Sequence, residues 1–296
     1  MDIAMHSLPR LADIIALTRL DRPIGIWLLL WPTLWAVWVA GDGTPALGIV
    51  IVFALGVVLM RSAGCAINDY ADRHVDGQVR RTADRPLAAG RLRPEDALLV
   101  FGALVAASAC LLLFLNWQTF LWSFGALALA TLYPFMKRWT YLPQVVLGAA
   151  FSWAIPMAFV AQGKTPDALC WLLYASNLAW TVAYDTQYAM ADREDDLNAG
   201  IKSTAILFGD MDLMIIGCLQ GLFLLALWML GSRLGLAWPF FVSLAAAAAL
   251  FVVQFRRCEA REPAGCFSAF LHNHWVGAVL FAGVFLGYIL KSAPTP

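Results

Sequence analysis

Two aspartate-rich segments of the sequence, NDYADRHVD at 68–76 and DTQYAMADREDD at 185–196, carry side chains that could bind divalent cations. In the first segment Asn68, Asp72 and Asp76 recur every four residues, a spacing that places them on one face of a predicted helix. Their carboxylate oxygens are hard ligands without His or Cys partners. Such a set suits Mg²⁺.

The second segment repeats this arrangement, because Asp185, Tyr188, Asp192 and Asp196 are separated by three, four and four residues. Like charges four residues apart on a helix repel each other, so two such rows require a compensating cation. Mg²⁺ commonly completes its coordination shell with water and substrate phosphates. The paired rows therefore predict a metal and diphosphate site; the alternative is a set of solvated loop acids.

Basic side chains near the two segments favour the diphosphate interpretation, since free phosphate oxygens need such donors. They are Arg80, Arg81, Arg85, Lys137, Arg138 and Lys202. For each of them singly, the alternative is the ordinary excess of positive charge on the inner side of a membrane protein.

The composition indicates an integral membrane protein: 61% of residues are hydrophobic, 14% are charged and the mean hydropathy is +0.71. Soluble domains contain about 25% charged residues. The apolar runs lack the alternation of a β-barrel, so they predict helices. We expect an all-α membrane protein with nine spans, at about 24–40, 46–67, 97–115, 117–135, 142–161, 168–190, 212–231, 235–255 and 268–290. No nucleic-acid partner is expected.

Lys and Arg in the connections predict the orientation. With the N-terminus inside, 17 of the 20 basic residues lie on the cytoplasmic side and only Lys164, Arg233 and Lys291 lie outside. The C-terminus is then outside, and the two long connections, about 68–96 and 191–211, are cytoplasmic. Both aspartate segments lie at this side.

A short amphipathic helix is expected before the first span, capped by Ser7 with Pro9 in its first turn and lying along the membrane surface. About twenty polar or amphipathic residues precede that span, so no cleavable signal peptide is expected. The six cysteines have no metal-type spacing and are interpreted as small apolar residues.

Several strings resemble the UbiA superfamily of intramembrane prenyltransferases. NDYADRHVD is similar to the family's first aspartate motif and DTQYAMADREDD to its second. Further matches are RTADRPL, YPFMKR, LPQ and GIKSTAILFG, and these resemble the 4-hydroxybenzoate polyprenyltransferase branch. The likeness extends from about residue 19 to the ninth predicted span.

This resemblance implies one domain over 1–296, a nine-helix bundle around a central cavity open to the lipid bilayer of the bacterial inner membrane. The aspartate motifs would lie at its cytoplasmic mouth under the two long loops. Their repetition suggests two related halves, about 24–135 and 142–290. A polyprenyl diphosphate would bind through two Mg²⁺ held by Asp72, Asp76, Asp192 and Asp196. The likeness also implies that Tyr133 and Lys137 lie near the diphosphate.

The acceptor implied by the resemblance is 4-hydroxybenzoate, prenylated ortho to its hydroxyl group in ubiquinone biosynthesis. Arg61 could bind its carboxylate; the alternative is an arginine that snorkels to headgroups. Asn68 is expected to contact the acceptor or a metal-bound oxygen, and Tyr188 lies on the same stripe as the second motif. Two alternatives stay open: another aromatic acceptor, such as a naphthoate, homogentisate or a porphyrin, and a cation-coupled transporter.

Overall fold

The computed structural model describes residues 10–291, and this part of the chain is helical without a β-strand. The helices are α1 (Leu11–Thr18), α2 (Ile24–Ala40), α3 (Leu47–Asp72), α4 (Pro94–Leu111), α5 (Trp117–Trp139), α6 (Pro143–Ser152), α7 (Ala154–Ala161), α8 (Ala168–Ala191), α9 (Arg193–Ala199), α10 (Thr204–Phe208), α11 (Asp212–Leu234), α12 (Trp238–Cys258) and α13 (Pro263–Ile289). The short helix α1 lies where an N-terminal helix was expected, whereas its predicted cap at Ser7 and Pro9 falls outside the described residues.

Seven helical stretches among the described residues are long and apolar enough to cross a membrane. They are Leu47–Asp72, Pro94–Phe114, Trp117–Trp139, Pro143–Ala161, Thr204–Leu234, Trp238–Cys258 and Pro263–Ile289. The other two predicted spans are also helices. One is α2, with 17 residues, and the other is α8, which has 24 residues but contains Asn177, Asp185 and Gln187.

The predicted helix through the first aspartate motif was wrong beyond Asp72, where α3 ends. The chain then turns, the Val75 amide donates to the Asp72 carbonyl at 2.7 Å, and Asp76 begins a 3-10 turn. Val75, Asp76 and Gly77 are all poor helix formers, so the break occurs where helix propensity is lowest. The bend turns the Asp76 carboxylate back toward the bundle rather than leaving it one helical turn beyond Asp72.

A break also divides the fifth predicted span into α6 and α7 at Trp153. Pro156 has no amide hydrogen to donate to the Ser152 carbonyl, and it lies in the first turn of α7, where a proline is best tolerated. The Trp153 indole donates to the Trp122 carbonyl of α5 at 2.9 Å. The residue at the break thus bonds the α6–α7 segment to the neighbouring helix α5.

The packed core lies between α2, α8 and α11. Trp35, Trp180 and Phe223 are fully buried there, with ring centroids 5.4 to 6.1 Å apart. By contrast, α4 buries only Ala97, and α5 buries only Thr119 and Pro134. Helices α4 and α5 therefore form an outer wall with little protein beyond them.

A chain of buried amides fixes the rotation of α8. The Trp180 indole donates to Asn273 at 3.0 Å, and the Asn273 amide donates to Gln187 at 2.9 Å. Gln254 accepts from Gln187 at 3.4 Å and from Gln220 at 3.3 Å. These bonds join α8 to α11, α12 and α13 inside an apolar bundle, where an unpaired amide is costly. They hold the opposite face of α8, which carries the second aspartate motif, toward α3 and α5.

Helix α13 approaches α2 closely at Gly277, whose carbonyl accepts a hydrogen bond from the Trp35 indole at 3.2 Å. A Cβ at Gly277 would lie 2.4 Å from a ring carbon of Trp31. We expect Gly277→Ala to lower the free energy of unfolding by about 1–3 kcal/mol, as overpacking does. The measurement is thermal unfolding of the purified protein in detergent.

Gly217→Ala is the matched control, because a Cβ at this mid-helix glycine of α11 meets no atom within 4 Å. We expect it to leave the melting temperature unchanged or to raise it, since alanine favours the helix. Equal melting temperatures for the two variants would contradict the close packing of α13 on α2.

Candidate active site

Two adjoining cavities lie where α3 and α8 end. The larger has a volume of about 1000 Å³ and is lined mainly by apolar side chains from α2 to α8 and α13. The smaller, of about 120 Å³, is lined by Asp72, Asp76, Asp192 and Asp196. Six residues line both cavities: Asn68, Arg81, Arg85, Tyr133, Asp185 and Tyr188. The site therefore joins a charged chamber to an apolar one.

Asp72 forms the last residue of α3 and is 1% exposed. One carboxylate oxygen pairs with the Lys137 ammonium of α5 and accepts a hydrogen bond from Asn68 at 3.1 Å. The other oxygen, Oδ1, is buried without a hydrogen-bond partner. An orphaned carboxylate oxygen inside a charged cavity is suited to a further cation.

Asp76 is paired with Arg85, whose Nη1 lies 2.9 Å from each carboxylate oxygen. The same nitrogen lies 3.3 Å from Asp69. Burial opposes the charge on Arg85, but Asp69 and Asp76 outweigh that effect and raise its pKa. Arg85 therefore remains a cation in the cavity wall.

Asp192 caps the C-terminal end of α8 and pairs with both Nε and Nη2 of Arg81, with Nε at 2.9 Å. The Arg81 guanidinium also lies 4.1 Å from the centre of the Tyr188 ring. This two-point ion pair joins Arg81 of the first long loop to Asp192 of the second aspartate motif. Tyr188 supports it as an aromatic platform.

Asp196, in α9, has no ion pair among the described residues, although it is only 9% exposed. Burial raises its pKa to about 7, and the neighbouring Asp192 contributes to the rise. A divalent cation would favour its ionised form.

The two long loops contact each other above the smaller cavity. Arg80 donates to Asp195 through its backbone amide and through Nε, both at 3.2 Å. The Lys202 amide donates to the Lys137 carbonyl at 3.1 Å. These contacts cover the acids and hold α5, which carries Lys137, beside them.

Arg61 lies in the larger cavity, where its Nη1 donates to Cys65 at 2.8 Å and its Nε is buried without a partner. The guanidinium packs against Gly25 in the first turn of α2, because a Cβ there would lie 2.2 Å from Nε. Only glycine leaves this space open. Gly25 was not predicted as a site residue, because no local sequence pattern marks it.

Most predicted site residues meet in this region, and Arg138 is the exception. Its side chain is exposed and donates to the Ala71 carbonyl near the end of α3, and it lines neither cavity. Arg85 and Asp185 line both cavities. The sequence placed both beside the motifs, but it predicted no specific role for either.

The four carboxylates suit Mg²⁺ by their chemistry and by the orphaned Oδ1 of Asp72. Within residues 10–291, no three side chains of Asp, Glu, His or Cys already converge as a metal site, and three of the four acids are paired with Lys137, Arg85 and Arg81. Since Mg²⁺ usually takes one or two protein carboxylates and fills its shell with water and phosphate, this arrangement remains compatible with it.

The model of the UbiA prenyltransferase family matches residues 29–289. A 4-hydroxybenzoate octaprenyltransferase of Ectopseudomonas mendocina is 58% identical over 283 residues, covering 96% of both chains, and one of Pseudomonas putida strain W619 is 59% identical over the same share.

Solved structures share the fold. An apo UbiA homolog from Aeropyrum pernix K1 has a TM-score of 0.78 at 24% identity, covering 88% of this chain and 97% of that one. A UbiA homolog from Archaeoglobus fulgidus bound to GPP and Mg²⁺ has a TM-score of 0.71 at 18% identity, covering 94% and 100%.

The raised pKa of Asp196 predicts a pH dependence of stability in metal-free protein. The folded carboxyl holds its proton up to about pH 7, whereas the unfolded one loses it near pH 4, so the folded state binds more protons between these values. Stability therefore falls as pH rises through this window. We expect Asp196→Asn to flatten the fall in melting temperature between pH 5 and about pH 8 in EDTA.

Asp210→Asn serves as the control because Asp210 is exposed in the same long loop. This variant should keep the slope of the unsubstituted protein. If Asp196→Asn keeps it too, Asp196 does not titrate as described.

Proposed function

This chain belongs to the UbiA prenyltransferase family, and on that premise we propose that it transfers a polyprenyl group from polyprenyl diphosphate to 4-hydroxybenzoate. The observation that carries the proposal is the junction of a charged chamber lined by four aspartates with an apolar cavity of about 1000 Å³. The first fits a diphosphate and the second an isoprenoid tail. Relatives with this name, about 58% identical over nearly the full chain, support the choice of acceptor.

The diphosphate is recognised by positive charge already present around the smaller cavity. Arg81, Arg85 and Lys137 line it, and each is paired with an aspartate. Asp72, Asp76, Asp192 and Asp196 would hold Mg²⁺, which supplies further positive charge to neutralise the departing diphosphate. Binding lets the three cations exchange their carboxylate partners for phosphate oxygens. The Tyr133 side chain lies between head group and tail.

Ionisation of the allylic carbon–oxygen bond is then assisted by charges fixed in position before the substrate arrives. The resulting allylic cation lies in the apolar cavity, where Phe151, Phe267 and Phe270 contribute to the lining and water is scarce. Attack by the electron-rich ring of 4-hydroxybenzoate, ortho to its hydroxyl group, forms the new carbon–carbon bond. The ring proton then passes to a base, for which an aspartate of the site, the released diphosphate and water are the candidates. The product is the intermediate expected in ubiquinone biosynthesis.

The acceptor is oriented by Arg61, whose guanidinium forks onto the benzoate carboxylate. Its unpartnered Nε and its place in the larger cavity, against Gly25, support this role. Tyr184 and Asp185 line the same cavity. Asn68, hydrogen-bonded to Asp72, lies between the acceptor and the metal ligands.

In this proposal the protein crosses the bacterial inner membrane nine times, with α2 and α8 completing the seven clearly apolar spans. The N-terminus and both aspartate motifs face the cytoplasm, and α1 lies along that surface. The excess of basic residues on this side supports the orientation. The single domain then has two related halves, each with a span followed by an aspartate pair.

We expect Asp72→Asn and Asp192→Asn each to lower turnover by about 100-fold or more, because each removes a metal ligand and charge stabilisation of the leaving group. Mass spectrometry of the products from 4-hydroxybenzoate and a mixed set of polyprenyl diphosphates measures this. Addition of EDTA should have the same effect. Asp210→Asn, exposed in the same loop region, is the control and should retain turnover. Full activity in EDTA would reject the metal role, and product with a naphthoate but not with 4-hydroxybenzoate would reject the acceptor.

Arg61→Ala should raise the KM for 4-hydroxybenzoate about tenfold or more, since a charge-assisted hydrogen bond contributes about 1.5–3 kcal/mol. The KM for the prenyl diphosphate should change much less. Gly25→Ala should act in the same direction, because it displaces the guanidinium without removing its charge. Gly56→Ala is the matched control, since a Cβ there meets no atom within 4 Å although Gly56 lines the same cavity. Equal effects on both substrates would reject Arg61 as the carboxylate-binding residue.

A further inference from the structure

Asp69 is the one acid of the first motif segment that lies off the face formed by Asn68 and Asp72, and it is 1% exposed. Arg19 donates through Nη2 to both of its carboxylate oxygens, at 2.9 and 3.0 Å. Arg85 approaches Oδ1 at 3.3 Å. Both oxygens are therefore occupied by arginines, and Asp69 does not line the smaller cavity in which the four predicted metal ligands lie.

These contacts form a closed set of four charges. Arg19 is held by Asp69, Asp69 also contacts Arg85, and Arg85 binds both oxygens of Asp76 at 2.9 Å. Two acids balance two bases, and no side chain of the set is more than 23% exposed. The set joins α1, α3 and the first long loop at the wall of the smaller cavity.

The surrounding packing fixes the position of Asp69. Leu17 of α1 is fully buried in a cluster with Ala66 of α3 and with Leu87 and Leu92 of the loop. Arg19 ends α1 in the left-handed region at φ 58°, a conformation that non-glycine residues rarely adopt. That backbone turns the Arg19 side chain toward Asp69. Such a conformation persists only where the surrounding structure determines it.

We infer that Asp69 is a positioning residue that retains Arg85 at the diphosphate site when Asp76 turns to a metal ion. This inference rests on the function proposed above. Once Asp76 binds a divalent cation, Arg85 loses its nearest acid, and Asp69 is the remaining anion within 3.3 Å. Asp69, Arg19 and Arg85 then carry one net positive charge facing the chamber, which complements a diphosphate.

The same contacts make Arg19 the anchor of Asp69. Without Arg19, the Asp69 carboxylate would bind Arg85 alone and could draw it away from the chamber. With Nη2 of Arg19 bound to both of its oxygens, Asp69 shares its charge between two bases and holds Arg85 through one nitrogen. The remaining guanidinium nitrogens of Arg85 form no hydrogen bond with the described residues, so they can bind phosphate oxygens.

The test is a double-mutant cycle of Asp69→Asn and Arg85→Gln with separate KM values for the two substrates. We expect Asp69→Asn to raise the KM for polyprenyl diphosphate about tenfold and to change the KM for 4-hydroxybenzoate less than twofold. Arg85→Gln should raise the diphosphate KM at least as much. The double variant should be no worse than Arg85→Gln alone, because Asp69 acts through Arg85.

Asp13→Asn is the matched control. Asp13 pairs with Arg91 at 2.8 Å, so this variant also breaks an ion pair between α1 and the first long loop, but neither residue lines a cavity. Both KM values should remain unchanged. If Asp13→Asn raises the diphosphate KM as much as Asp69→Asn, the effect comes from loosening α1 and the inference is wrong. Equal shifts in both substrates, or additive effects in the cycle, would also overturn it.

Asp69→Asn leaves two buried arginines with one acid, so Arg19→Gln/Asp69→Asn provides a charge-balanced version that should show the same rise in diphosphate KM. A thermal shift with geranyl diphosphate and Mg²⁺ gives a second readout that needs no acceptor. We expect about tenfold more ligand for half the maximal shift in either variant than in the unsubstituted protein. If the variants need no more ligand than the unsubstituted protein, the inference is wrong. If the unsubstituted protein binds geranyl diphosphate but forms no product from 4-hydroxybenzoate, the proposed acceptor is wrong instead.

Discussion

Charge compensation of four buried aspartates is the constraint on which this structure depends. Acids at the end of an apolar bundle are costly unless opposite charges accompany them. Lys137 and Arg81 provide such charges to acids 65 and 111 positions away in the chain, whereas Arg85 pairs with Asp76 within the first long loop. The long loops are ordered above the cavity because the bases they carry must reach the acids. Ion pairing thus determines how the two long loops fold over the smaller cavity as well as the charges inside that cavity.

The same pairs explain how one site can receive both metal ions and a highly charged leaving group. Of the four predicted metal ligands, Asp72, Asp76 and Asp192 each have a base beside them, and Asp196 is buried and holds its proton up to about pH 7. In the proposed function, metal ions would replace the bases on the carboxylates, and the bases would then be free to bind the phosphates. Both sets of charges would keep a partner of opposite sign, and the chamber would be preorganised for the developing charge of the leaving group.

The sequence predicted the apolar helices well, because each hydrophobic run ends at residues that cannot remain in hydrocarbon. Both ends of α2 were predicted, and so was the meeting of the aspartate motifs. The end of α3 at Asp72 was missed because equal spacing of acids suggested a continuous helix. The pairing of Asp69 with Arg19 and the packing of Arg61 on Gly25 depend on contacts across 50 and 36 positions, which no local pattern encodes. Arg138 was selected by its position beside Lys137, but its side chain turns to the end of α3.

Helices α4 and α5 give the larger cavity an unusual boundary. Val105, Ser108 and Ala109 of α4 line its inner side, yet α4 buries only Ala97 against the rest of the protein. In the proposed function, this one helix would separate the isoprenoid tail from the acyl chains of the surrounding bilayer. A single helix with few contacts to the rest of the protein can move, and the neighbouring lipids would then also contact the isoprenoid tail. Tail-length preference becomes a joint property of protein and membrane, so a detergent micelle and a native bilayer should select different tails.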